Sequence, residues 1–204
     1  MFKLYTWLCI ACLVCMMMPA RSQSGYFAHA IGAGVYTGKN HFAGGIIYSP
    51  RFNFGIISKR STFAIGTQLA LGGSLHAGYS RNSGGNSTSI FMADVPLLLT
   101  YNYGNFATTS AHTRLGIYTG AGYGFHNATR HVEYLDEEES ATDQVHVSGL
   151  VLTTGCRFMI GHTSLGLHFT YLFNNNAFNP DISGIGSAGL SYNIHPGKRA
   201  LEHN

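Results

Sequence analysis

Arg114-Leu115-Gly116-Ile117-Tyr118-Thr119-Gly120-Ala121-Gly122-Tyr123-Gly124-Phe125 is a segment of period two. Leu115, Ile117, Ala121, Tyr123 and Phe125 share one parity, and Arg114, Gly116, Tyr118, Gly120, Gly122 and Gly124 share the other. Successive side chains of a strand point to opposite faces, so the segment predicts a strand with one apolar face and one small face. A soluble sheet would bury the apolar face and cover the other with Lys, Glu and Arg. Glycine with an isolated charge makes a poor water-facing surface. The pattern suits a barrel turned inside out, with apolar residues toward lipid and small or polar ones filling a narrow lumen.

The alternation recurs about eight times, predicting strands over 26–36, 43–57, 62–78, 90–103, 114–127, 145–161, 164–173 and 184–194. In the third, Phe63, Ile65, Leu69, Leu71 and Leu75 oppose Ala64, Gly66, Gln68, Ala70, Gly72, Ser74 and His76. In the fourth, Val95, Leu97, Leu99, Tyr101 and Tyr103 oppose Asp94, Thr100 and Asn102. In the seventh, Leu165, Leu167, Phe169, Tyr171 and Phe173 oppose Ser164, Gly166, His168 and Thr170. Many of these runs exceed the soluble mode of about 5–6 residues and suit the roughly 9–11 tilted residues that cross a membrane. The connections 37–42, 79–89, 128–144 and 174–183 read as longer external loops. Residues 58–61 and 161–163 read as short periplasmic turns, with 104–113 longer than a turn should be. Aromatics fall at both ends of the apolar rows: Phe27, Phe54, Phe63, Tyr101, Tyr103, Phe158 and Tyr192 at one, Phe91, Tyr123, Phe125, Tyr171 and Phe173 at the other. Two such girdles mark two membrane interfaces. The predicted fold is an all-β, up-and-down antiparallel transmembrane barrel of about eight strands over residues 25–194, and a soluble lipid-binding barrel is its main rival.

Composition agrees. Charged residues are 10% of the 204, against roughly 25% in ordinary soluble domains. Abundant aromatics and low charge exclude disorder, and a net charge of +3 is too small to make nucleic acid the partner. Residues 1–24 read as a secretory signal peptide: Lys3, then an apolar stretch from Leu4 to Met18, then small residues from Ala20 to Ser24. An uncleaved anchor is the alternative, and none of Cys9, Cys12 and Cys15 sits in a good lipidation pattern. With the signal removed Cys156 is the one cysteine left, so no disulfide framework stabilises the exported chain.

Four segments carry a resemblance: Gly45-Ile46-Ile47-Tyr48-Ser49-Pro50-Arg51-Phe52-Asn53-Phe54, Val95-Pro96-Leu97-Leu98-Leu99-Thr100-Tyr101, Gly120-Ala121-Gly122-Tyr123-Gly124 and Ser187-Ala188-Gly189-Leu190-Ser191-Tyr192-Asn193-Ile194. Together they resemble the small outer-membrane β-barrel proteins of the Bacteroidota, the porin-family or PorT-like barrels. The resemblance implies a location in the cell outer membrane, surrounded by its lipid. It also implies that Ser187, Gly189, Tyr192 and Ile194 act as the closing-strand signal read by the outer-membrane assembly machinery. Residues 195–204 are then a short periplasmic tail. No agreed activity follows, because fold does not give function.

Candidate chemistry is sparse. Gly32-Ala33-Gly34 and Gly120-Ala121-Gly122 lack the following helix that a phosphate loop needs. His126, His131 and His146 flank a loop holding Glu133, Asp136, Glu137, Glu138, Glu139 and Asp143, but no ligand spacing fits a known metal loop, so no metal and no cofactor is expected there. A barrel acyl hydrolase would place Ser two residues after His. His126-Asn127-Ala128 lacks it, and His162-Thr163-Ser164 falls in a presumed periplasmic turn. The lumen charges carry the most content. Arg51, Arg114 and Arg157 share the inward parity with Asp94, and an isolated charge in a narrow barrel needs a partner or water. They read as an Arg–carboxylate network plugging the lumen, with Arg51 as the partner of Asp94, or else as a basic constriction passing small anions. The expected function is a non-enzymatic outer-membrane barrel with structural or surface-interaction work done at its external loops, on a ligand the sequence does not name. A narrow channel or carrier for small solutes is the alternative, and an outer-membrane acyl hydrolase is third.

Overall fold

The computed structural model describes residues 25–39, 41–74, 92–109, 111, 113–132, 141–161 and 163–194. The predicted signal peptide, the tail 195–204, the connection 79–89 and the acidic run 133–140 lie outside the described residues.

Nine strands form: β1 Tyr26–Gly38, β2 His41–Ser58, β3 Ser61–Thr67, β4 Leu69–Ser74, β5 Met92–Gly104, β6 Leu115–Val132, β7 Ala141–Ile160, β8 Thr163–Phe173 and β9 Gly184–Ile194. All neighbours are antiparallel, and β1 pairs with both β2 and β9, so the sheet closes. The count of nine reflects one interruption. β3 and β4 pair in the same register with β2 on one side and with β5 on the other, and only Gln68 stands outside the ladder between them. That register sets Pro50 beside Thr67 and Pro96 beside Gln68. Proline has no N–H to give a ladder, so a proline on each side, facing two consecutive positions, loosens the pairing there. The predicted third strand is thus one broken stave, and the barrel has eight staves.

The faces follow the predicted parity. Ile31, Ile46, Leu71, Leu97, Ile117 and Leu190 are exposed on the outside, while Ala28, Ala64, Asn53, Asn102, Thr153 and His168 are buried inside. The aromatic rows survive as contacts. Phe63 meets Tyr101 edge-on at 5.5 Å near the end that carries both chain ends, and Tyr123–Phe125 and Tyr171–Phe173 do so at 5.4 and 4.7 Å toward the other. The seam between β1 and β9 runs from His29↔Ile194 to Thr37↔Gly186.

Three expectations change. The connection 37–42 is no long loop: the β1–β2 ladder runs on through Thr37↔Phe42 to Gly38↔His41. The ladder of β6 and β7 runs on from Ala128↔Val145 to Val132↔Ala141, so strand takes up much of the predicted loop 128–144. The lumen is not small and polar throughout. Its far half, away from the chain ends, holds an apolar cluster that includes Ile47, Met92, Leu98, Val147, Val151 and Leu172. These residues sit on the inward parity of strands whose outward parity is also apolar, which hides them from a reading of alternation alone.

Leu97, 61% exposed at mid-strand, tests the outward face. Leu97→Arg should lower the unfolding free energy in lipid by about 2–4 kcal/mol, with Leu97→Phe nearly neutral. Urea titration of protein folded into liposomes measures both, and equal midpoints for the two variants would refute the lipid-facing assignment.

Candidate functional site

The chain stops both ends of its own lumen. At the end carrying the termini, the connection after β5 folds under the barrel, and Asn105, Ala107 and Thr108 are buried. The turn is tied to the wall by Gly104 N–H donating to Arg60 O at 2.7 Å and by Thr108 Oγ1 donating to Lys59 O at 2.6 Å. Tyr26 Oη donates to Phe106 O at 3.1 Å, and Asn105 Nδ2 reaches Ser164 Oγ at 3.4 Å. Gly104 and Phe106 take left-handed φ values of 79° and 59°. The glycine does so freely, whereas an aromatic residue does so at a cost that its surroundings must hold. The unexpected length of 104–113 is therefore a stopper. At the far end the β8–β9 connection turns inward. Asn174 Nδ2 donates to the carbonyls of Asn179 and Ile182 at 2.8 Å each, and Ile182, 1% exposed, joins the apolar cluster. Asn179 holds this loop to β7, accepting from His146 N–H at 2.7 Å and donating to Gln144 O at 3.1 Å.

Between the stoppers lie two charge clusters. The upper one is a line of three side chains. His126, fully buried, places Nδ1 3.1 Å from Asp94 Oδ1 and Nε2 3.1 Å from His41 Nε2. A carboxylate only accepts, so His126 Nδ1–H donates to Asp94. The two Nε2 atoms of His126 and His41 then share one hydrogen between them. The Tyr36 ring packs on His126 at 5.7 Å. Asp94 and His126 face each other directly in the β5–β6 ladder, so a hairpin register count was the signal that would have paired them. Asp94 thus takes His126 as partner, not Arg51. Asp94 lies toward the far end, whereas Arg51 lines a different cavity.

The lower cluster joins Arg51 and Arg157. Both line one cavity of about 40 Å³ with Gln68, Tyr118 and His168. Arg157 Nη2 donates to Asn102 Oδ1 at 2.9 Å, and its guanidinium lies 4.4 Å from the centre of the Tyr118 ring. The inward glycines leave less space than expected, because neighbours fill it. A Cβ on Gly155 would stand 2.6 Å from Tyr118 Oη, and one on Gly189 would collide with the His168 ring. Arg114 does not join them. It lies exposed before the first residue of β6, with its carbonyl accepting from Met159 N–H at 2.9 Å. The folded-in 105–109 segment already fills the lumen at that level.

The remaining candidates separate. His126 points inward and His146 outward, where it meets Phe178 edge-on and bonds Asn127 and Gln144, so the two histidines lie on opposite faces of the sheet. Ser164, of the His-x-Ser spacing, is buried in the lumen against Asn193 and Asn105. In β9, Tyr192 and Ile194 are exposed on the outer face and Ser187 and Gly189 share the inward row.

A closed, antiparallel eight-stave barrel with a lipid-compatible outer face is the fold of small bacterial outer-membrane β-barrel proteins. Ail, the attachment invasion locus protein of Yersinia pestis, solved in complex with the heparin analogue sucrose octasulfate, is similar over 84% of this chain and 100% of its own, at 11% identity and a TM-score of 0.50. Neisserial surface protein A matches over 84% and 97% at 15% identity and a TM-score of 0.45. The N-terminal β-barrel domain of Pseudomonas aeruginosa OprF matches over 84% and 100% at 11% identity and 0.41. At these identities the likeness is one of fold. No protein-family model and no curated protein matches the sequence.

The upper cluster makes a quantitative prediction. A buried hydrogen bond to a charged group is worth about 1.5–3 kcal/mol. Asp94→Asn and His126→Gln should therefore couple by about 1 kcal/mol or more in a double-mutant cycle, while Asp94→Asn and Arg51→Gln should add to within about 0.5 kcal/mol. Unfolding midpoints in detergent supply the cycle, and strong Asp94–Arg51 coupling would overturn the assignment.

Proposed function

We propose that this protein is a closed, non-enzymatic barrel of the cell outer membrane that presents its far-end segments to a partner at the cell surface. The observation that carries the reading is closure from both ends: Asn105, Ala107 and Thr108 stop one mouth and Ile182 the other. Two lumen cavities among the described residues measure about 40 and 10 Å³. That leaves room for a few waters and speaks against the narrow channel. The inward placement of Ser164 speaks against the acyl hydrolase, whose substrate would lie in the lipid outside. The surface role draws on the β6–β7 hairpin, which runs seven residues past Phe125 to Val132. At about 3.3 Å per residue this is on the order of 20 Å of strand beyond the aromatic row. Six of the nine acids of the chain fall at positions 133–143 of the sequence, between β6 and β7 or at the start of β7, and such an excess of negative charge suits a cationic partner. The likeness to Ail contributes fold to this reading and no ligand.

The finer origin, a PorT-like barrel of the Bacteroidota, rests on the four sequence segments above. Delivery by the outer-membrane assembly machinery rests on Ser187, Gly189, Tyr192 and Ile194 in a strand that seals the barrel against β1.

Two measurements test the function. Purified protein in planar bilayers should give no stepwise conductance above the lipid baseline. Protease added to intact cells should cut within 133–140 and leave the barrel whole. Defined channels would replace the reading with a pore, and cleavage only after the outer membrane is permeabilised would invert the topology.

A further inference from the structure

Arg51 projects from β2 and Arg157 from β7, and in the ring of eight staves three staves separate these two in either direction. The two guanidiniums therefore reach from opposite walls into the same cavity. A guanidinium is the side chain least able to shed its charge, so two positive charges meet inside a narrow tube whose lining here is mostly uncharged polar and small residues. Among the described residues no carboxylate lines this cavity; Asp94 lines the other and is engaged by His126. Arg51 Nε and Nη2 and Arg157 Nη1 are buried and without a hydrogen-bond partner in the protein, as is Thr67 Oγ1 on the same wall. The lining adds further donors in the Gln68 amide and the Tyr118 hydroxyl. Water solvates such groups but does not cancel their charge, and uncompensated buried charge is strongly unfavourable.

We propose that Arg51 and Arg157 form a binding site for one small inorganic anion, of halide size, held inside the closed lumen. Volume sets the class. About 40 Å³ accommodates a monatomic anion with one or two waters, since a single water needs roughly 10–15 Å³ on the same measure. An organic phosphate, a sugar acid or a lipid headgroup does not fit. The anion converts two repelling guanidiniums into a bridge between opposite walls, so it braces the barrel where Gln68 leaves the ladder open. The site stands whatever the surface segments bind.

The test uses the full mature chain folded in a zwitterionic detergent, with sodium bromide exchanged for sodium gluconate at constant ionic strength. The sole tryptophan, Trp7, lies in the predicted signal, so tyrosine circular dichroism reports unfolding. The midpoint should rise with bromide and saturate in the millimolar range, by several degrees, while gluconate alone, too large to enter, leaves it low. R51Q and R157Q should each weaken the bromide dependence at least tenfold. In gluconate each variant should unfold at a higher temperature than the wild type, because one of two like charges is gone, an outcome that mere loss of packing would not produce. Should a variant not fold, bromide anomalous scattering from wild-type crystals locates the ion directly, with its peak between the two guanidiniums. A wild-type midpoint indifferent to bromide, variants that keep the full dependence, or a bromide peak elsewhere would each overturn the proposal.

Discussion

The structure depends on pairing β1 with β9. In hydrocarbon no water is available to a free N–H or C=O, so a sheet can stand there only if its first and last strands meet. Nine register pairs, from His29↔Ile194 to Thr37↔Gly186, do this. Close approach is built into the seam: a Cβ on Gly32 would run into the backbone of Leu190 and Ser191. Once the ring is closed, the outward parity must be apolar and the inward parity must fill a tube whose width is set by eight staves.

Filling that tube is a packing problem with polar parts. Large inward residues sit beside glycines on neighbouring strands, as Tyr118 does beside Gly155 and His168 beside Gly189. The far half is sealed with aliphatic side chains around Ile182, and the near mouth with a folded-in turn tied to the wall by Tyr26, Asn105 and Thr108. Between them charge is sorted by depth: Asp94 with two imidazoles above, two guanidiniums below.

Much of this was legible in the sequence. The parity of Leu115, Ile117, Tyr123 and Phe125 against Gly116, Gly120, Gly122 and Gly124 assigned faces, and the same test placed Arg51, Asp94 and Arg157 inside. Stave number and aromatic rows followed because strand period and membrane thickness are local constraints that each segment must satisfy alone. The connection 104–113 stood out as too long for a turn, although its burial was not legible.

What the tertiary structure decided is which inward residues meet. Arg51 and Arg157 are far apart in sequence and on opposite walls, and their encounter depends on ring closure and stagger, which no single strand encodes. Asp94 met His126 because of a hairpin register, and His41 reached them from the other side of the lumen. Arg114 has the inward parity, yet it lies outside the barrel because a folded-in turn already occupies its level. Alternation determines the face a side chain takes; depth, partner and vacancy of space belong to the closed ring, since they depend on all eight staves at once.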